Sequence, residues 1–315
     1  MTSESTGSAQ PLVIVNPRAA GLVDPAQRDR IVRAVSVAVE QRTGRSATIE
    51  SGSLEAARRA LAAAVDSSLV VVVGGDGTVR EAAADLVGRG RNTPLAIIPA
   101  GTGNVLAGAL GIRGMRGALE AIRSGEPLRL DLGRARWWEV GEAAHPHERL
   151  FSVACGMGLD ARVMAAAEHE WKRRLRFGAY VGAAVRELAR LAAVQFRIVA
   201  DGEPIELVGH LVLVANAGEL IPGRVGPRQR IDPTDGRLDL IVLGGSNAVA
   251  ALRGAASLML RSGDLSGGVI RRSVREVTIE SDPAQPIETD GDHHPPARLE
   301  IGVLPGAVSV LIPGR

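Results

Sequence analysis

Between residues 69 and 87 the chain reads LVVVVGGDGTVREAAADLV. An apolar run ends in Gly74-Gly75-Asp76-Gly77-Thr78 and passes into a helical pattern. Glycine leaves no Cβ in the way, so a ligand can approach the backbone closely. The amides of such a turn, with the N-terminus of the next helix, form an anion site, and phosphate is its natural guest. Asp76 would repel a phosphate unless a cation lay between them, so the motif points to a metal–nucleotide pair. The alternative is a tight strand-to-helix turn with glycine chosen for geometry alone. Neither G-x-x-x-x-G-K-[ST] nor G-x-G-x-x-G describes this loop.

A second loop repeats the logic. LAIIPAGTGNVLAGALG is a strand, then Pro99-Ala100-Gly101-Thr102-Gly103-Asn104, then a helix. Two parallel strands, each followed by a Gly-Thr loop, can form one phosphate-binding wall. Asn16, before Pro17, ends an earlier strand on the same sheet edge and is either a nucleotide contact or a turn-forming residue. Lys172, Arg173, Arg174 and Arg176 cluster beside Trp171, Phe177 and Tyr180. That composition suits an anionic membrane surface, or else a solvated helix end. His293 and His294, adjacent and beside Pro-Pro, do not by themselves make a metal site, and His145 and His147 receive no role.

The elements that position these residues follow from periodicity. Strands are expected at 11–17, 46–51, 69–73 and 95–99. Helices are expected at 25–42, at 53–65 with Ser53 as N-cap, and from about 78 to 89. Strands alternating with helices mean a parallel α/β sheet, and apolar strands fit burial on both faces. From near Leu128 the pattern changes to strand-like segments, LRLDLGRARWW, RLFSVACG, VQFRIVADG, IELVGHLVLVANAG and GRLDLIVLGG. Helical stretches at roughly 158–192 and 246–262 interrupt them, and RLEIGVLPGAVSVLIP reads as two short strands. The fold class is thus α/β plus β: an N-terminal parallel α/β nucleotide-binding domain, then a largely antiparallel β domain.

The 315 residues suffice for two domains. The hydrophobic share is 45% but the aromatic share only 2%, so Ala, Val, Leu and Ile must build the core. A net charge of +2 is too weak to argue for nucleic acid. Cys155 is the single cysteine, which precludes an intrachain disulfide and fits a reducing compartment. The polar start MTSESTGSAQ lacks a signal-peptide pattern, and no run approaches the roughly 20 apolar residues of a membrane span. A soluble cytoplasmic protein is expected, with peripheral association at the inner membrane surface left open.

VVGGDGTVREA followed by IIPAGTGNVLA resembles the catalytic domain of the diacylglycerol kinase and lipid kinase family. VIVNPRAAG, FSVACGMGLDARV, RFGAYVGAAVREL, RIDPTDGRLDLIVL, and ETDGD with the closing strands resemble further segments of it in order, so the resemblance covers nearly the whole chain. It implies an α/β ATP-binding domain over 1–130, a β-sandwich lipid domain over 131–305, a terminal strand 306–315 returning to the first domain, and ATP in the cleft between the two domains. ATP and Mg²⁺ are the implied cofactors. A diacylglycerol-like lipid is the implied acceptor, and a homodimer is compatible.

By this resemblance Gly74, Gly75, Asp76, Gly77, Thr78, Val79, Arg80 and Glu81 line the ATP phosphates, with Gly101, Thr102 and Asn104 on the facing loop. Thr48 matches a family threonine near the nucleotide. Asp292 takes the place of a usual glutamate in Asp-Gly-Glu, the family's candidate general base, and Asp76 is its rival. Asp232, Asp235 and Arg237 match a structural metal segment, Asp232 and Arg237 mainly through backbone carbonyls, the alternative being an Asp-rich turn without an ion. Val105 replaces an aspartate that many relatives link to that metal. Arg80 replaces a common asparagine, and either supplies positive charge or faces solvent. Two other readings compete: NAD kinase, which shares the first loop but not the second, and a lipid- or nucleotide-binding protein without catalysis.

Overall fold

The computed structural model describes residues 10–64, 67–141, 145–158, 193–219, 230–246 and 268–314. The chain divides into two compact units, Met1–Asp131 with Gly306–Arg315, and Leu132–Pro305.

In the first unit the elements are β1 (Leu12–Val15), α1 (Pro25–Thr43), β2 (Thr48–Ser51), α2 (Leu54–Ala63), β3 (Val70–Gly74), α3 (Asp76–Gly88), β4 (Leu95–Pro99), α4 (Val105–Ala109) and α5 (Gly114–Ser124). The strands run in the order β4-β3-β1-β2, all parallel, with Leu12 level with Thr48 and Val70, and Val70 level with Leu95. β1 and β3 are buried along their whole length, which is why they read as unbroken apolar runs. Local chemistry sets the helix ends. Asp24 accepts the Ala26 amide hydrogen ahead of Pro25, Gly44 closes α1 in the left-handed region, and Ser53 caps α2. α3 begins at Asp76, two residues before the expected start, because Gly75 takes the extended N-cap conformation. Asp76 and Gly77 therefore belong to the first turn of a helix.

The second unit is built from β5 (Glu126–Glu139, entering from the first unit), β6 (His147–Phe151), β7 (Ala154–Met157), β8 (Val194–Ala200), β9 (Glu203–Ala215), β10 (Gly218–Glu219), β11 (Arg230–Ile231), β12 (Leu238–Gly244), β13 (Val269–Val274), β14 (Glu276–Asp282), β15 (Pro286–Thr289) and β16 (Asp292–Ile312). The antiparallel pairings β9-β7-β15-β16-β14-β8 lead back to β9, a closed circuit. β12 and β13 extend it from β9. Its core holds Phe151, Phe196, Trp137, Met157 and aliphatic partners.

Three expectations change here. The closing segment is one strand of 21 residues, not two. Its Gly306–Arg315 portion belongs to the first unit, where Val310 pairs parallel with Leu95 of β4. RLFSVACG splits into β6 and β7 at Ser152-Val153. β13, β14 and β15 were not foreseen: VIRRSV and EVTIESD carry charge on their solvent-facing positions, which hides the apolar alternation. The helical stretches expected at 158–192 and 246–262 fall almost wholly outside the described residues.

Candidate active site

The first unit brings the two glycine loops together at the carboxyl ends of β3 and β4. Their approach is backbone to backbone. A Cβ on Gly101 would lie 2.5 Å from the Cα of Gly75, and one on Gly75 would lie 3.1 Å from the Cα of Gly101. Packing of loop on loop dictates Gly101 and leaves Gly75 little room. Gly77 is different: a Cβ there would meet no protein atom within 4 Å. Its side borders open space at the N-terminus of α3, where backbone amides favour an anion.

Asp76 joins the loops electrostatically. Its Oδ2 accepts the Val105 amide hydrogen at 3.1 Å and its Oδ1 that of Leu106 at 3.1 Å. The carboxylate thus satisfies the first turn of α4, whose own N-cap, Asn104, provides no side-chain cap. Asn104 instead closes its loop. Its Nδ2 donates to the Gly101 carbonyl at 2.8 Å and its Oδ1 accepts the Gly101 amide hydrogen at 2.8 Å. Asn104 has a φ of 50°, a left-handed conformation that asparagine tolerates. Asn16 donates to Thr78 Oγ1 at 3.0 Å while its Oδ1 accepts the Arg18 amide hydrogen at 3.0 Å. It is a turn residue that also orients Thr78. Thr102 is exposed.

The side chains of Val79 and Arg80 are buried, so Val79 can meet a ligand only through its backbone. The reading of Arg80 as a solvent-facing residue is corrected: its guanidinium lies 3.1 Å from Glu81 Oε1. Glu81 also receives Arg58 of α2 at 2.6 Å. Burial works against the charge of Glu81, but the bonds from Arg58 and Arg80 outweigh it and hold its carboxyl below the usual range.

Thr48 is not brought to this edge. It pairs with Leu12 at the opposite end of the strands, and its hydroxyl donates to the Gln10 side chain at 3.2 Å. Three residues, or about 10 Å of strand, separate it from the carboxyl edge. Ser51, level with Val15, occupies that edge of β2. The sequence hid this because Thr and Ser both lie in one short TIES strand and only the register distinguishes them.

In the second unit the Asp-Gly turn joins β15 to β16 as a two-residue hairpin, Thr289 facing Asp292. Asp290 and Gly291 have φ values of 46° and 88°, the positive pair that such a turn requires and that Asp-Gly supplies. The Asp290 carboxylate accepts from the Ser152 amide at 2.8 Å, the Ser152 hydroxyl at 3.1 Å, and the Val153 and Ala154 amides at 2.9 Å each. It fastens the hairpin tip to the link between β6 and β7. Asp292 is half exposed and lies 3.0 Å from Arg149 Nη2. Thr289 Oγ1 and His294 Nε2 are hydrogen-bonded at 2.8 Å, and the His294 ring packs on Trp137 with centroids 4.3 Å apart. The sequence reading gave Asp290, Arg149 and His294 no role. Asp290 could have been found from the Asp-Gly turn itself, while Arg149 has no local signal.

Asp232 and Asp235 form local turns. Asp232 Oδ1 accepts from the Thr234 amide at 3.0 Å and hydroxyl at 2.6 Å, and Asp235 Oδ1 accepts from the Arg237 amide at 2.9 Å. The Arg237 guanidinium reaches Ser273 and Asp201. Among the described residues no three His, Cys, Asp or Glu side chains cluster to hold a metal. The metal reading of this segment has Asp232 and Arg237 contribute mainly backbone carbonyls, so it does not depend on such a cluster. Asp76 does fit a single ligand of a nucleotide-borne Mg²⁺, a hard cation that keeps water and phosphate oxygens around it. Lys172, Arg173, Arg174 and Arg176 lie outside the described residues. Among the described residues no helix is long and apolar enough to cross a membrane.

With this geometry, comparison with known proteins is specific. The family model for the diacylglycerol kinase catalytic domain matches residues 10–135, and the model for the YegS C-terminal NAD kinase beta sandwich-like domain matches residues 153–312. The chain belongs to the diacylglycerol kinase family of lipid kinases. A diacylglycerol kinase of Mycobacterium tuberculosis is 32% identical over 273 residues, covering 84% of each chain. An uncharacterized protein of Synechocystis is 26% identical over 251 residues, 78% of this chain, and this chain spans 55% of its length. The crystal structure of a diacylglycerol kinase from Bacillus anthracis has the same fold, with a TM-score of 0.69, 21% identity and coverage of 98% of each chain.

Proposed function

We propose that this protein transfers the γ-phosphoryl group of ATP to the primary hydroxyl of a diacylglycerol-like lipid. The observation that carries the reading is the pair of glycine loops packed backbone to backbone and bridged by Asp76, with open space left beside Gly77. The first unit offers the ATP phosphates the amides at the start of α3 and the Gly101–Asn104 loop. Ser51, at the carboxyl edge of β2, replaces Thr48 as the nucleotide contact expected of that strand. Mg²⁺ bound with ATP would neutralise phosphate charge, and Asp76 would hold it directly or through water.

In the transfer, the lipid hydroxyl oxygen bonds to the γ-phosphorus and the bond to the β–γ bridging oxygen breaks, releasing ADP. The hydroxyl proton goes to Asp292. Between the two candidate bases, geometry favours Asp292. Both oxygens of Asp76 already accept backbone amide hydrogens, which suits a loop clamp, whereas Asp292 is half exposed at a hairpin tip. Arg149 orients Asp292.

Asp292→Ala is expected to lower turnover by about 10²–10⁴-fold, the usual span for a lost general base. ATP affinity, measured by calorimetry, should stay within about threefold. Asp76→Ala should weaken ATP binding together with turnover. Full turnover in Asp292→Ala, with an Asp76 variant that binds ATP normally but is inactive, would move the base to Asp76.

A further inference from the structure

Two arginines of the first unit converge on one carboxylate. Arg58 of α2 donates to Glu81 Oε2 from Nε at 2.9 Å and from Nη2 at 2.6 Å. Arg80 donates to the other oxygen, Oε1, at 3.1 Å. Arg80 is 4% exposed, and a guanidinium so buried needs a counter-charge, which Glu81 supplies. Burial opposes the charge of Glu81, but the bonds from Arg58 and Arg80 outweigh it and keep the carboxylate ionised. Both of its oxygens are thus taken by protein cations. The place of this junction matters. α2 begins at Leu54 and α3 at Asp76, so Arg58 and Glu81 lie about 6–8 Å below the two helix N-termini, at nearly the same depth. The two helices pack on each other. Their strands do not pair: β2 and β3 flank β1. Ser51 ends β2, and the Gly75–Thr78 turn follows β3. The junction of α2 with α3 therefore ties together two turns that the sheet joins only through a third strand.

We propose that Arg58 is a positioning residue for the nucleotide: its two bonds to Glu81 lock α2 to α3 and so fix the spacing between Ser51 and the Gly75–Thr78 turn. The inference rests on ATP binding at that sheet edge. Arg58 acts through Glu81 and α3, not on the phosphates themselves. The rigid plane of the guanidinium is what suits it to this task, because two N–H groups meet one oxygen at fixed angles. Lysine, a point charge on a flexible stem, cannot reproduce that geometry. Arg58 is 54% exposed, and an ion pair of that kind adds little to global stability. Loss of the pair should therefore be felt in nucleotide affinity rather than in folding.

The test compares the unaltered enzyme with Arg58→Gln, Arg58→Lys and Arg59→Gln. ATP affinity is measured by calorimetry, and transfer to diacylglycerol in mixed micelles is measured with kcat and KM resolved. Arg59 is the exposed neighbour on the same helix, so its variant removes the same charge without touching Glu81. Arg58→Gln should weaken ATP binding and raise KM for ATP about three- to fivefold, near the most that a pair of this exposure can carry. Its kcat and its KM for the lipid should stay unchanged, and its melting temperature should move by no more than about 3 °C. Arg58→Lys keeps the charge but should still lose about twofold in ATP affinity, and it carries the test alone if Arg58→Gln does not fold. Arg59→Gln should match the unaltered enzyme. Normal ATP affinity in Arg58→Gln, full recovery in Arg58→Lys, or an equal loss in Arg59→Gln overturns the inference. ATP binding without transfer would defeat the kinase reading alone. No ATP binding by the unaltered protein would defeat the nucleotide site and this inference with it.

Discussion

Asp76 is the residue on which the two glycine loops of the first unit turn. The same carboxylate that the sequence marks as chemical is used first to tie two loops together through the amides of Val105 and Leu106. The glycines around it divide by physical cause. Gly101 is required because a methyl group there would meet the Cα of Gly75 at 2.5 Å, while one on Gly75 would be tight against Gly101 at 3.1 Å. Gly77 is not required by any protein contact. This contrast yields a prediction. Gly101→Ala should destabilise the fold by about 1–3 kcal/mol, the usual cost of forcing atoms into a packed site. Gly77→Ala should leave the melting temperature unchanged or raise it, since alanine is the better helix former. ATP affinity should nevertheless fall in both. Normal ATP binding by Gly77→Ala would show that the open side of that turn is not where the phosphates lie. The motif was legible because chemistry and geometry demand the same residue types. The separate duties of its glycines were not, because they depend on a loop 26 residues away.

Among the elements, the β15–β16 hairpin shows how little local pattern is needed to place a carboxylate. Asp-Gly signals the turn, and the turn fixes Asp292 opposite Thr289. The anchoring of that turn was invisible, since the three amides and one hydroxyl that Asp290 receives come from residues 152–154. Asp290→Ala removes their acceptor and places alanine at a positive φ. It should cost about 2–4 kcal/mol in denaturant unfolding, as lost bonds to a charged group and strain combine. Asp290→Asn, which tolerates the same φ and keeps one acceptor oxygen, should cost less. Equal stability of all three proteins would show that the carboxylate does not hold the hairpin. The early start of α3 and the register of β2 were similarly hidden, because each depends on a neighbouring backbone rather than on propensity. β1, β3 and β4 were legible because burial on both faces permits only apolar residues there.

For the whole molecule, composition and order proved informative. An alternation of apolar strands and helices gave way to strand-rich sequence near Leu128, and the units divide between Asp131 and Leu132. The return of the C-terminal strand is pinned by Asp131, whose buried carboxylate accepts the Gly306 amide hydrogen at 2.6 Å. Cys155, the single cysteine, is fully buried, and burial followed by the negative charges of Asp290 and Glu288 pushes its thiol well above the usual range. It is a packing residue rather than a nucleophile. The acceptor lipid was not legible, since any apolar pocket for it would use the same residue types as a core. The most direct measurement is therefore transfer itself. Purified protein would be given radiolabelled ATP and Mg²⁺ with diacylglycerol, phosphatidylglycerol, sphingosine or ceramide in mixed micelles, and NAD as control. The account predicts a labelled lipid phosphate from diacylglycerol that disappears in Asp292→Ala. ATP binding without label in any lipid, or label in NAD alone, would contradict it.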